Sequence, residues 1–232
     1  MTEGVLRWLS AEFAPAPVPD GWAGAVRALG ALRPSDISHN DLAALEPSPR
    51  QAAVLVLLAD DGPDGPDVLL QRRSGGLRSH AGEVSFPGGR REDADHGPVD
   101  TALREAAEET GLDPSGVDPL VLLPRLVLGT GYHVTGVVAY WRTPVPVTAV
   151  DHDETAEVFR MPLARLADPA VRLAVHHPMG WSGPAFDVEG MVIWGYTSEV
   201  LGAVLRAGGW ERPWTPGESV ELDRAWERAR RR

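Results

Sequence analysis

A strand-to-helix passage at residues 83–111 constrains the fold more than any other feature of this sequence. The segment EVSF (83–86) alternates polar and apolar residues and predicts a short strand leading into a Pro-Gly-Gly turn. Pro98 suits the first position of a helix, and Gly111 suits the left-handed position that ends one, so a helix is predicted over 98–110. An apolar stripe marks the face of this helix that meets a core; it consists of Val99, Ala102, Leu103, Ala106 and Thr110.

Apolar runs on either side of this passage predict further strands. AAVLVLLAD (52–60) is typical of a buried strand, and VLLQRR (68–73) follows a turn cluster as the second strand of a hairpin. Later segments predict strands within 120–128, 134–145, 171–177 and 185–195, and helices within 21–32, 161–168 and 197–208. Because strands and helices interleave without a regular βαβ period, we expect an α/β (α+β) fold with a mixed β-sheet between helices.

The residue composition and the predicted elements divide the chain into three parts. Residues 1–50 contain a Pro-rich connector and one segment with helical spacing, which indicates a partly helical N-terminal extension. Residues 51–208 hold the predicted strands and helices of the main domain. Residues 209–232 form a polar, Trp-containing C-terminal tail for which the sequence predicts no element.

Composition excludes several kinds of site. The chain has 232 residues, no cysteine and a net charge of -11, and all 22 of its Lys or Arg residues are arginine. Disulfides, zinc-thiolate sites, thiol nucleophiles and a P-loop lysine are therefore excluded, and nucleic acid is a disfavoured partner. Any cationic contact to a phosphate must come from arginine, whose planar group suits phosphate oxygens. No apolar run reaches the roughly 18 residues of a membrane span, and no secretory signal is seen, so we expect a cytoplasmic protein without membrane contact.

Three glutamates crowd onto one turn of the predicted helix. Glu105, Glu108 and Glu109 fall within an arc of roughly 100°, where like charges repel by a few tenths of a kcal/mol per pair. A hard divalent cation would reverse that repulsion, because Mg²⁺ and Mn²⁺ prefer oxygen ligands. Arg104 precedes Glu108 by four residues and can pair with it. From the spacing alone, a solvated helix face and a divalent metal site both remain open.

The segment 89–112 resembles the Nudix box, in which a glycine and an acidic residue precede R-E-U-x-E-E-x-G-U, where U is aliphatic. REAAEETGL (104–112) matches the second half, and Gly89 opens the box. Asp95 stands where the usual box has glutamate, and its interval to Arg104 is one residue longer than usual.

The residues just before the box resemble the signature of the coenzyme A pyrophosphatase branch of the Nudix family, L-L-T-x-R-[SA]-x3-R-x3-G-x3-F-P-G-G. The one mismatch is Gln71, where the signature has threonine. That branch also commonly carries the aspartate and the extra residue in its box. The matching residues are Leu69, Leu70, Arg73, Ser74, Arg78, Gly82, Phe86, Pro87, Gly88 and Gly89.

This resemblance implies a Nudix-type α/β/α sandwich and a metal-dependent active site. It implies two or three Mg²⁺ or Mn²⁺ ions, with Glu105, Glu108, Glu109 and the Gly89 carbonyl as ligands. Arg104 would support these glutamates. A further catalytic acid, Glu154, is implied by the segment ETAEVFRMPL (154–163), although a solvated loop acid explains that residue as well.

The resemblance also implies a substrate, a small CoA-like nucleotide. The expected reaction cleaves coenzyme A or an acyl derivative into 3',5'-ADP and 4'-phosphopantetheine or its acyl form. Substrate contacts are expected from Arg73, Arg78, Gly82, Gly88 and Gly89, with a surface role as the alternative for either arginine. The competing functions are a Nudix hydrolase for ADP-ribose, NADH or a dinucleoside polyphosphate, and a non-catalytic nucleotide-binding sensor. A homodimer is compatible with the family.

Overall fold

The computed structural model describes residues 3–38, 50–76, 80–177, 180 and 182–231. The helices in this part of the chain are α1 (Glu3–Leu9), α2 (Ala23–Gly30), α3 (Pro34–Ile37), α4 (Pro98–Thr110), α5 (Leu163–Leu166), α6 (Gly195–Gly208) and α7 (Leu222–Ala229). The strands are β1 (Gln51–Ala59), β2 (Asp67–Arg73), β3 (Val84–Ser85), β4 (Gly88–Arg90), β5 (Val117–Leu122), β6 (Leu126–Val127), β7 (His133–Trp141), β8 (Thr155–Pro162), β9 (Arg172–His176), β10 (Ser182–Val188), β11 (Met191–Ile193) and β12 (Val220–Glu221).

The larger sheet is mixed, as predicted, and the order of its five central strands is β3-β2-β1-β7-β5. β1 and β7 run parallel over their whole paired length, whereas β1 and β2 form the predicted antiparallel hairpin. The strands β4, β6 and β8 join this sheet beside β1, β7 and β2. The prediction of a mixed α/β fold is confirmed.

Alternation along β1 explains why this sheet is covered on both faces. Ala53, Leu55 and Leu57 pack in one buried cluster with residues of α4, while Val56 and Leu58 pack in another with residues of α6. A strand buried on both sides reads as a continuous apolar run, which is how β1 appears in the sequence.

The helix α4 forms where its sequence signals place it. Pro98 is its first residue, and Gly111 ends it with a φ of 68°, in the left-handed region that glycine tolerates. Ala102, Ala106 and Thr110 are buried, and Val99 and Leu103 pack against the same core. The predicted boundaries 98–110 and the predicted apolar stripe are both confirmed.

The N-terminal segment packs on both faces of the larger sheet. Trp8 of α1 is buried in the cluster that α4 covers, whereas Trp22 and Leu29 are buried on the side of α6. The Trp22 ring lies 5.5 Å from the Tyr140 ring between centroids. This segment is therefore part of the core of the described structure.

A second, four-stranded sheet has the order β11-β10-β9-β12, which the sequence did not separate from the first. β12 pairs in parallel with β9, and the buried residues of α7 cover Val175, Ala185 and Val192. The sequence predicts no element here because α7 is dominated by charged residues, and only Leu222, Ala225 and Ala229 of it are buried. Of the described helices, none is long and apolar enough to cross a membrane.

Candidate active site

The larger sheet opens a gap next to β1. β7 pairs with one edge of β1 from Gln51 to Leu58, so β2 and β4 must share the other edge. β2 joins near Leu58 and β4 joins at Ala52–Val54, and the Leu55 N–H donates to the Pro87 carbonyl at 2.8 Å. The two strands therefore diverge, and the C-terminal half of α4 lies against the gap between them.

Two glycines allow the backbone to reach the carboxylates of α4. Gly88 has a φ of 151°, and a Cβ built on it would lie 2.4 Å from the Ala53 carbonyl oxygen. Its N–H donates to Glu109 Oε2 at 2.8 Å. A Cβ on Gly89 would lie 2.5 Å from the Glu105 carboxyl carbon. Glycine at both positions is what lets Glu105 and Glu109 sit directly on β4.

Burial raises the pKa of Glu109 to about 7. The Gly88 N–H and the Gln71 amide act in the opposite direction, and the charge of Glu105 raises the pKa further. Burial also raises the pKa of Glu105, against the effect of the Arg104 charge. The two carboxylates are thus partly desolvated, a penalty on their charged forms that a bound cation would relieve.

Arg104 holds the other side of the acidic turn. Its guanidinium donates to Glu105 Oε1 and Glu108 Oε2, each at 3.1 Å, and to the Arg90 carbonyl at 2.9 Å. It also forms a two-point pair with Asp95, with both nitrogen–oxygen distances 3.1 Å. Arg104 therefore fixes the side chains of Glu105 and Glu108, and Asp95 in turn fixes Arg104.

Asp95 connects this arrangement to the N-terminal helix. Burial alone would raise the pKa of Asp95, but hydrogen bonds from Arg104, the Glu92 N–H and Thr101 hold it below its usual value. The Thr101 hydroxyl donates to Asp95 at 2.8 Å and accepts from the Trp8 indole N–H at 3.0 Å. A continuous hydrogen-bonded chain thus runs from α1 to the glutamates of α4.

Replacing Thr101 by valine should destabilise the protein by about 1–3 kcal/mol, because at nearly constant volume the change leaves the buried Trp8 nitrogen unpaired and removes one of the three hydrogen bonds to Asp95 Oδ2. Urea unfolding of the variant measures this loss. Thr148→Val, at an exposed threonine, is the matched control and should change stability by less than about 0.5 kcal/mol. Equal stability of Thr101→Val and the wild type would contradict a stabilising role of the hydrogen bonds that link Trp8, Thr101 and Asp95.

The residues of the upstream motif lie on the β2 side of the gap. Arg73 ends β2 opposite Thr155, and its charge acts to lower the pKa of Glu109. The Arg73 N–H donates to the Glu83 carbonyl at 2.8 Å, and the Gly82 N–H donates to the Arg73 carbonyl at 3.2 Å. Gly82 has a φ of 75°, which glycine accommodates. Arg78, the other predicted substrate residue, lies outside the described residues.

Glu154 lies in an exposed turn just before β8. Its carbonyl accepts from the Ser74 N–H at 2.8 Å, and the next residue, Thr155, pairs with Arg73 in the sheet. The backbone of Glu154 is therefore fixed at the end of β2 that borders the gap. In the described part of the chain, its carboxylate forms no ion pair.

Sequence reasoning singled out the residues of the two motifs and missed several that surround them. Gln71 is fully buried beside Glu109, and Ser85 on β3 pairs with Gln71 across the sheet. Thr101 is buried and donates its hydroxyl hydrogen bond to Asp95. Gln71 appeared only as a mismatch to the branch signature. Thr101 and Ser85 carry no signal in the sequence that would separate them from ordinary core residues.

Comparison with known proteins identifies the family. A family model described as the NUDIX domain matches residues 49–178, which is more than half of the chain. The chain belongs to the Nudix hydrolase family. Nudix hydrolases act on pyrophosphate bonds of nucleoside diphosphate derivatives, so the chain is a Nudix pyrophosphohydrolase.

Relatives with the name Uncharacterized Nudix hydrolase NudL are similar to this chain. The Cronobacter sakazakii protein is 45% identical over 130 residues, which span 56% of this chain and 64% of that relative. The Escherichia coli O7:K1 protein is 39% identical over 159 residues, 66% of this chain and 79% of the relative. Among solved structures, the Nudix hydrolase RenU from M. smegmatis matches with 27% identity and a TM-score of 0.43, over 51% of this chain and 73% of that one.

Nudix hydrolases generally use divalent metals, and the donor set here fits such ions. Carboxylate oxygens and a glycine carbonyl are hard ligands, and a Cβ at Gly89 would fill the space beside Glu105. As the side chains stand, no three acidic or histidine side chains of the described residues are grouped to hold an ion. Arg104 contacts one carboxylate oxygen of Glu105 and one of Glu108, so the second oxygen of each side chain can bind a cation.

Proposed function

We propose that this Nudix hydrolase cleaves the pyrophosphate bond of coenzyme A or an acyl-CoA, releasing 3',5'-ADP and 4'-phosphopantetheine or its acyl form. The observation that carries the proposal is the position of Arg73. This residue belongs to the signature that resembles the coenzyme A branch, and it ends β2 at the border of the gap, between Thr155 of β8 and the Gly82–Glu83 backbone.

The proposed metal ligands are Glu105, Glu108, Glu109 and the Gly89 carbonyl, holding two or three Mg²⁺ or Mn²⁺ ions. When bound, such ions neutralise charge on the phosphates and lower the pKa of a bound water. Arg104 is the proposed positioning residue, because it contacts Glu105 and Glu108 through its guanidinium. The Gly88 N–H holds the carboxylate of Glu109 in the gap.

The proposed proton acceptor is Glu154 or one of the box glutamates. Among the box glutamates, Glu109 is partly buried at the gap, and the Gly88 N–H holds its carboxylate there. Glu154 approaches from a different loop and keeps its carboxylate exposed, so it is free to meet a substrate from the solvent side.

Arginine side chains and glycine backbone are the proposed contacts to the phosphates of the substrate. Coenzyme A carries a 3'-phosphate in addition to its pyrophosphate, and guanidinium groups bind such oxygens in pairs. Arg73 and Arg78 are the proposed phosphate ligands. Gly82, Gly88 and Gly89 allow the backbone to approach the substrate closely. A cytoplasmic location and a homodimer stay predictions.

A substrate panel tests this proposal. Purified protein is assayed with Mg²⁺ and with Mn²⁺ on coenzyme A, acetyl-CoA, ADP-ribose, NADH and diadenosine tetraphosphate, and 3',5'-ADP is quantified by chromatography. We expect coenzyme A or acetyl-CoA to give the highest kcat/KM. Faster cleavage of ADP-ribose or NADH with intact coenzyme A would refute the substrate assignment, and nucleotide binding without any hydrolysis would indicate a sensor.

A further inference from the structure

Three polar atoms on the β2 side of the gap are buried without a hydrogen bond. They are the Gln71 amide nitrogen, the Ser85 hydroxyl oxygen and the Arg73 Nε. Gln71 is 0% exposed. The Gln71 amide lies near enough to the Glu109 carboxylate to favour its charged form, but its nitrogen makes no hydrogen bond of normal geometry.

The three groups lie on the same face of the sheet. Gln71 and Ser85 are directly paired across β2 and β3, which places their Cβ atoms roughly 5 Å apart. Arg73 follows Gln71 by two residues and, past a register shift between β2 and β8, pairs with Thr155, whose hydroxyl reaches Gln71; Arg73 and Gln71 therefore share a face. Leu69, two residues before Gln71, packs in the cluster that α4 covers. The group therefore faces α4, beside Glu109.

All three groups can donate a hydrogen bond. Gln71 Oε1 already accepts from the buried Thr155 hydroxyl at 3.4 Å, which leaves the amide nitrogen as the unused end of Gln71. Burying an unpaired donor costs about 1–3 kcal/mol, and an apolar side chain of similar shape would avoid that cost. Three such donors beside one carboxylate are costly for the fold alone and suit a ligand that supplies oxygen acceptors.

We propose that Gln71 and Ser85, together with Arg73, form an oxygen-binding subsite that holds a non-bridging phosphoryl oxygen of the substrate. This inference deepens the proposed function and rests on it only for the presence of a pyrophosphate, since the subsite is indifferent to what the pyrophosphate carries. It adds two substrate-contact residues, Gln71 and Ser85, which stand at the mismatched position and at a variable position of the upstream signature.

Two substitutions test the subsite with inorganic pyrophosphate as the probe. Ser85→Ala and Gln71→Leu each remove one donor, and calorimetric titration with pyrophosphate in the presence of Mg²⁺ measures the result. We expect each variant to bind pyrophosphate about 10-fold more weakly than the wild type, the loss of roughly one hydrogen bond. Urea unfolding without ligand should show equal or higher stability for Ser85→Ala, because an unpaired buried donor has been removed. Gln71→Leu also leaves the buried Thr155 hydroxyl without its acceptor, so this variant is judged by its pyrophosphate affinity alone.

Ser198→Ala is the matched control. The Ser198 hydroxyl is buried and already paired, at 2.6 Å from the Pro184 carbonyl and 2.8 Å from the Gly195 carbonyl. This variant should lose stability and keep the wild-type affinity for pyrophosphate. A purely structural role of Gln71 or Ser85 would give the same pattern as Ser198.

Unchanged pyrophosphate affinity in both Ser85→Ala and Gln71→Leu would overturn the subsite, and so would a wild type that fails to bind millimolar pyrophosphate. The pyrophosphate affinities test the subsite independently of whether coenzyme A is the substrate. If coenzyme A is not cleaved but both variants still lose pyrophosphate affinity, the subsite stands and only the substrate assignment fails.

Discussion

Replacing Glu109 by glutamine is expected to lower kcat for the best substrate by about 10²–10⁴-fold. Glu109 is buried at the gap, and its Oε2 accepts from the Gly88 N–H at 2.8 Å. Glutamine keeps the size and this hydrogen bond through its carbonyl oxygen, but it cannot carry the negative charge that holds a metal ion or accepts a proton. Steady-state hydrolysis of the substrate in saturating Mg²⁺ measures the loss.

The same substitution should stabilise the metal-free protein. The pKa of Glu109 in the folded state, about 7, lies above its usual value of 4.5, so the folded state holds this proton more tightly than the unfolded state. The contribution of Glu109 to stability therefore falls as the pH rises from about 4.5 to 7 and stays reduced above that range. In EDTA at pH 8 we expect the free energy of unfolding of Glu109→Gln to exceed that of the wild type by about 1–3 kcal/mol. At pH 4 this difference should vanish.

Glu92→Gln is the matched control for both measurements. Its carboxylate is 63% exposed and lies 3.9 Å from Arg104, at the edge of the same network. We expect its activity to remain within a few-fold of the wild type and its stability to change by less than about 0.5 kcal/mol. Near-wild-type activity of Glu109→Gln would remove this residue from the proposed catalytic set.

Replacing Gly88 by alanine is expected to cost at least ~3 kcal/mol of stability, because it combines overpacking with a backbone conformation that alanine disfavours. The added Cβ would lie 2.4 Å from the Ala53 carbonyl oxygen and 2.5 Å from the Val54 Cα. Both contacts involve the backbone of β1, which cannot rotate away as a side chain can. Urea unfolding should show a strongly lowered midpoint or no cooperative transition.

Gly75→Ala separates this local effect from a general effect of removing glycine. Gly75 is exposed, and a Cβ built there meets nothing within 4 Å. We expect its unfolding midpoint to match that of the wild type. If Gly88→Ala were equally stable, β4 would have to sit further from β1 than the structure places it.

The helix α4 could be predicted from the sequence because its signals are local. Pro98 and Gly111 mark its two ends, and the apolar stripe repeats at helical spacing over its full length. The two motifs likewise lie in one contiguous stretch, so the residues that border the gap could be named without knowing the fold.

The contacts made by those residues could not be predicted, since they depend on pairings distant in the chain. Glu109 meets Gly88 because β4 joins β1 beside β2, and Asp95 meets Trp8 only through Thr101. The second sheet was missed for a similar reason. Its strand β12 has two residues and is defined by its pairing with β9.

The parallel pairing of β1 with β7 has a consequence for how the protein is made. Gln51 pairs with His133, so 82 residues (133 − 51) must be added to the nascent chain before this pairing can begin. At about 5–20 residues per second, that interval lasts on the order of 4–16 s. During it, the backbone N–H and C=O groups on the edge of β1 that β7 will cover have no partner strand, and such edges attract other strands. We therefore expect ribosome-bound chains that stop before β7 to depend more on chaperones than ribosome-bound chains that include β7.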